Sequence, residues 1–270
     1  MRKLMLSAVI AVIMASLLLG KEASAVPTTH WVNDDASSYA PPGTSCSDAG
    51  YSTVQAAINA ASSGDLINVC PGTYTENVVV STSNLTIAST GGASVTTVNA
   101  AVSFHVFQIT AQGLTLDGFT IVPDGFADGD IGVNVSIEGD TGLTLVHNVI
   151  TGGRIGVNLG CASFGSTVAH NTISSQTEAG INIDTCEAPP FPGSHDNSIH
   201  HNTACSVTST ASIALGGSSN NNSIHHNVAT SISVFGTGNE LHHNRTQVVI
   251  SDSGSGNTLH HNVADPDVCS

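Results

Sequence analysis

Basic residues are nearly missing from this chain. Its 270 residues hold five Lys and Arg against twenty Asp and Glu, a formal charge of −15. Three of the five bases, Arg2, Lys3 and Lys21, fall in the first 25 positions. Residues 26–270 therefore keep two bases, Arg154 and Arg245, and nineteen carboxylates (twenty less Glu22), a charge of −17. A surface this acidic repels phosphate backbones and anionic lipid, which excludes nucleic acid and anionic membranes as partners. An acidic polysaccharide would be repelled too, unless divalent cations bridge it. Aromatics are also scarce, at 4%. Beyond one short segment no apolar stripe has helical spacing, which argues against a helical bundle.

The first 25 residues read as a secretion leader: Arg2 and Lys3 as the basic head, Leu4 to Gly20 as the apolar core, Ala23-Ser24-Ala25 as the cleavage site. Cleavage after Ala25 would leave no second apolar span. The expected location is secreted, periplasmic or at the cell surface. Six Cys in an exported chain point to disulfides, with fifteen connectivities open. Cys46 and Cys70 flank a presumed cap and can tie it to the first repeat unit. Cys161 and Cys186 fall near equivalent repeat positions. Cys205 and Cys269 then remain, as a pair by elimination or as two free thiols.

What is abundant is a repeated phrase ending in His-Asn. It appears as LVHN, VAHN, IHHN, IHHN, LHHN and LHHN, with Asn at 148, 171, 202, 227, 244 and 262. Steps of about twenty residues with variable insertions mark a solenoid, in which each repeat is one coil and insertions become loops. Asn tolerates a left-handed backbone and its amide can bond to the next copy, so this ladder reads as structural. A second column runs through IGVNV (131–135), IGVNL (155–159) and AGINI (179–183), each offset by 24 residues, and continues through SIAL and SISV. Alternation along these strands points Val133, Val157 and Ile181 inward and Asn134, Asn158 and Asn182 outward. Residues 26–50 lack periodicity and read as an irregular entry segment. Thr53–Ala61 has one apolar stripe, with Ser52 as candidate N-cap, and reads as a short lid over the first coil. Residues 51–270 form one domain.

The segment Tyr51–Val80, the segment Gly113–Val122 and the His-Asn phrases resemble the right-handed parallel β-helix, or pectin lyase-like, superfamily over about residues 51–264. The resemblance implies an all-β solenoid with a short N-terminal capping helix. It also implies that an extracellular glycan could lie in a groove on one face. Many chemistries share the fold, so the activity has to be argued from the site. Family members with known activities carry motifs absent here. The basic residue of the lyases has only Arg154 and Arg245 as candidates. GTYTEN (72–77) is similar to the methylesterases, but their Gln-Asp and Asp-aromatic segments are missing. The paired Asp and His-Gly of the polygalacturonases and the Asp-Pro-His-Glu of the epimerases are missing as well.

Candidate site residues come from the 24-residue register. Asp130, Arg154 and Glu178 are equivalent positions at the entry to successive strands, flanked by the insertions 123–130 and 186–196. Two coils separate Asp130 from Glu178, about 9.6 Å, near the carboxyl spacing of roughly 6.5–9.5 Å that suits an inverting glycoside hydrolase. On this reading Asp130 and Glu178 are the acid/base pair. Arg154, Asp184, Asn134, Asn158 and Asn182 contact substrate. Asp124, Asp128, Asp130 and Asp140 are candidate Ca²⁺ ligands. The doubled histidines form a column, His200, His225, His242 and His260, with a second one beside it, suited to Zn, Cu or Ni. Three functions stay open: a protein that binds or hydrolyses a glycan, a non-catalytic structural solenoid, and a divalent-metal binder.

Overall fold

The computed structural model describes residues 26–127, 129–136, 139–160, 162–183, 193–205 and 211–270. The fold is a right-handed parallel β-helix. Successive coils contribute short strands to three long parallel sheets, of ten, nine and eight strands, called here the first, second and third faces. The first face runs from Thr29–Val32 to Thr258–His260, the second from Gly72–Thr75 to Val263–Ala264, and the third from Val78–Val80 to Ser251–Asp252.

The apolar columns explain why these residues coil. On the first face Ile67, Ile87, Leu116, Leu145, Val168, Ile199, Ile224 and Leu241 lie in register on successive strands, and all are fully buried. Each side chain stacks on the same position of the next coil, so burial grows with every turn, at roughly 25 cal/mol per Å² of apolar surface. Leu259 continues the column but is 39% exposed, because its strand is the edge of the first face. The expected register of the third face holds: Val133, Val157, Ile181 and Ile213 pair in sequence, as do Asn134, Asn158 and Asn182.

The opposite end is covered. Helix α1 (Val54–Ala60) buries Val54, Ala57 and Ile58 against the first coils. Its N-cap is Thr53 rather than Ser52: the Thr53 hydroxyl accepts from the Ala56 N–H at 3.2 Å. The Glu76 carboxylate, from the coil below, accepts from the free N–H groups of Val54 and Gln55 at 2.8 and 2.9 Å, which no local pattern announces. Within 26–50, Thr29–Val32 is a strand paired with Leu66–Val69; its alternation is too short to see without its partner. The buried His30 imidazole holds the Asp65 carboxylate at 3.0 Å and the Tyr51 hydroxyl at 3.1 Å beneath this cap. Gly43–Ser45 and Asp48–Ala49 form an antiparallel hairpin, which Cys46–Cys70 ties to the first coil, and Cys205–Cys269 ties the C-terminal segment to the body. Cys161 and Cys186 lie outside the described residues.

The corner between first and second faces is built by the His-Asn phrase. Asn148, Asn171, Asn202, Asn227 and Asn244 are buried there, and each Oδ1 accepts the backbone N–H of the corner residue one coil earlier, at 2.9–3.0 Å. The left-handed backbone falls on the preceding His, not on Asn: His147, His170, His201, His226, His243 and His261 all have φ between 54 and 57°. In the coil before them Gly118 stands at that position, with φ 80°.

Candidate functional site

The outward side of the third face carries a row of side-chain amides. Gln108, Asn134, Asn158 and Asn182 are in register on four successive strands. The Asn158 Nδ2 donates to Asn134 Oδ1 at 2.9 Å, and the Asn182 Nδ2 donates to Asn158 Oδ1 at 2.8 Å. Asn134 is only 9% exposed although its strand position points away from the core, and Asn158 and Asn182 are half-buried. These outward-pointing residues are thus more covered than an open strand face would leave them.

Aromatic side chains occur on the segments before and after the third-face strands. Where the chain enters the face, Phe104 and Phe126 are exposed; the Phe104 ring lies against His105 with centres 4.2 Å apart and planes tilted by 34°. Where the chain leaves it, Phe164 stacks on His195 at 4.8 Å with planes 11° apart. Sequence reasoning misses these rings, since single aromatics in polar loops carry no period.

The charged column at the strand entry is in the expected register: Arg154 N–H donates to the Asp130 carbonyl and Glu178 N–H to the Arg154 carbonyl. Its side chains do not act as one set. The Arg154 guanidinium pairs with the Glu178 carboxylate. Asp130 is 1% exposed and accepts from the Ser103 hydroxyl at 2.8 Å and the Ala127 N–H at 2.6 Å. These two bonds reach the buried Asp130 carboxylate from the preceding coil and from its own loop, so Asp130 pins the loop. His105 sits beside it, with burial, first of all, holding its pKa below the ordinary value. Asp184 and most of the insertion 186–196 lie outside the described residues, as does Asp128. No metal-ligand group of carboxylates forms among the described residues.

At the first corner the histidines form two columns. His200, His225, His242 and His260 stack with centres 4.8–5.1 Å apart and planes within 7°. The left-handed histidines from His147 to His261 stack beside them, with centres 4.9–5.6 Å apart. Between the columns rings meet nearly at right angles, 87–88°, in the four coils carrying both. There the facing Nδ1 atoms are 2.9–3.0 Å apart. Burial, then the neighbouring imidazoles, hold His200, His201 and His243 below the ordinary imidazole pKa. His225, between two stacked neighbours, is pulled down to about 4.

Sequence reasoning also misses a second buried amide column. Asn197, Asn222 and Asn239 precede the first-face strands, and each N–H donates to the Oδ1 of the next, ending on Asn257, at 2.8–3.0 Å. Its signal is a constant five-residue lead over the His-Asn phrase: 197 and 202, 222 and 227, 239 and 244, 257 and 262.

No family model matches the chain, and no curated protein matches it. Solved structures do. An alginate lyase from Paenibacillus sp. is similar at 14% identity over 78% of this chain and 95% of that one, with TM-score 0.57. The enzymatically active domain of tailspike protein 2 from bacteriophage CBA120 is similar at 12% identity over 78% of this chain, with TM-score 0.57; the match spans 40% of that chain. A pectin methylesterase from carrot is similar at 12% identity over 89% of this chain and 90% of that one, with TM-score 0.53. At such identities the likeness establishes the parallel β-helix fold.

Proposed function

We propose that this is an exported protein that binds a polysaccharide along its third face, with the glycan chain parallel to the solenoid axis. The hydrogen-bonded row Asn134, Asn158, Asn182 carries the reading. A carboxamide offers donor and acceptor together, as a sugar hydroxyl does, so each rung can exchange paired hydrogen bonds with a hydroxyl-rich ligand. The rungs recur at the strand spacing of about 4.8 Å, close to the length of one sugar ring. Phe104, Phe126 and Phe164 give apolar platforms for sugar faces. The solved β-helices named as alginate lyase and pectin methylesterase support a carbohydrate ligand. The two disulfides support export.

The favoured ligand is neutral. The Arg154 guanidinium is engaged by Glu178, and the chain as a whole is strongly acidic, so a uronate polymer would need bridging Ca²⁺. The proposal is binding, not hydrolysis: Asp130 is held by Ser103 and Ala127, and Glu178 is held by Arg154. Affinity electrophoresis through gels containing soluble neutral or acidic polysaccharides tests this. Retardation by a neutral polymer, reduced in Asn158→Ala and Asn182→Ala, supports the reading; equal retardation of the variants removes the amide row from it.

A further inference from the structure

The geometry points to a binding site for a late first-row divalent metal ion, Cu²⁺ above Zn²⁺, formed by His170, His200 and His201 at the corner of the first and second faces. It lies on a different corner from the amide row and is independent of the glycan reading.

Each of these three side chains offers one ring nitrogen, and the three lie within 4.8 Å of one another, the sole such group among the described residues. The place is special within the columns. His200 begins its column, because the coil before it carries Ala169 at the paired position. One flank of its ring is therefore free of a stacked imidazole, whereas His225 is sandwiched between His200 and His242 at 4.9 and 4.8 Å. His170, on the earlier coil, stacks on His201 at 5.0 Å and meets His200 edge-on at 5.9 Å.

The Nδ1 atoms of His200 and His201, 3.0 Å apart, now share a hydrogen bond. Moving the bridging proton to Nε2 of the same ring frees both Nδ1 lone pairs with no change in charge. Metal–nitrogen bonds of about 2.05 Å to that pair subtend about 94°, and the rings tilt to direct both lone pairs at the ion. A near-right angle suits tetragonal Cu²⁺ better than tetrahedral Zn²⁺. His170 supplies the third nitrogen and water the remaining positions.

The test is titration of tag-free, metal-stripped protein with Cu²⁺ against a chromophoric chelator, with EPR of the one-equivalent complex. His200→Ala copies the residue found one coil earlier, and His201→Asn keeps a residue that tolerates the left-handed backbone. The double variant is expected to bind the first equivalent at least about tenfold more weakly and to lose nitrogen hyperfine structure. His260→Ala with His261→Asn, at the far end, should leave that equivalent unchanged. Equal affinity of wild type and the His200/His201 variant, or equal loss in the far-end variant, overturns the site. Melting without metal checks the fold of each variant, and the single His200→Ala carries the comparison if the double melts early.

Discussion

Asn202 donates both its backbone N–H and its side-chain Nδ2 to one acceptor, the Oδ1 of Asn227, at 3.0 and 3.1 Å. Asn227 in turn donates to the Ile199 carbonyl at 2.8 Å. One buried amide thus fastens two coils at a corner where the strands have ended. Asn227→Ala strands these groups without water, and unsatisfied buried groups cost about 1–3 kcal/mol each. We expect a loss of about 3 kcal/mol in urea unfolding. Asn262→Ala, on the half-exposed last coil, should cost less than about 1 kcal/mol because water replaces the amide. Equal losses would contradict the ladder as the fastening device.

The left-handed backbone at His226, φ 55°, predicts a substitution order that reverses the usual one for strands. His226→Gly relieves the strain of an L-residue at this angle, while His226→Val adds a β-branched clash. Thermal unfolding should find the Gly variant near or above wild type and the Val variant lower by about 1–2 kcal/mol.

Acid should weaken the fold in a window set by the histidine columns. The unfolded chain takes up a proton at His225 near its ordinary 6.5, while the fold resists until about 4. The unfolded state then binds more protons across that interval, so stability falls as pH drops through it and the effect is absent above it. The groups responsible are burial first, then His200, His242, His226 and His201. Asp65 acts lower. Burial raises its pKa, but hydrogen bonds from His30, Ser62 and Thr28 outweigh this and hold it below 3.8, so its contribution is lost only below that value. Melting temperatures at pH 7.5 and 5 should differ less in His225→Asn than in wild type.

Asp130 is predicted to act on the loop before it acts on any substrate. Asp130→Ala removes the acceptor for Ala127 and Ser103, so limited proteolysis should cut between residues 123 and 129 in the variant and spare the wild type. Wild-type-like resistance would make Asp130 a chemical candidate again.

Much of the fold is legible in the sequence because the solenoid writes its geometry as a period. The 24-residue offset that aligns Asn134, Asn158 and Asn182 is the observed register, and the His-Asn spacing places the corner. What escapes is set by contacts between coils. The approach of Ser103 to Asp130 spans 27 residues and has no period. The charged column is legible in position but not in pairing, since register fixes where Arg154 and Glu178 start and not where Asp130 turns. The left-handed angle suggests Asn because Asn adopts it readily, yet the buried Asn is needed for its amide and the exposed His takes the turn.

The central claim is that the third face reads a glycan. The most direct measurement is a glycan array probed with the protein, with and without Ca²⁺, repeated with Asn182→Ala. Binding to neutral polysaccharides without Ca²⁺, weakened by the variant, is the predicted result. Binding confined to uronates, binding unchanged by the variant, or no binding on a broad array would contradict it.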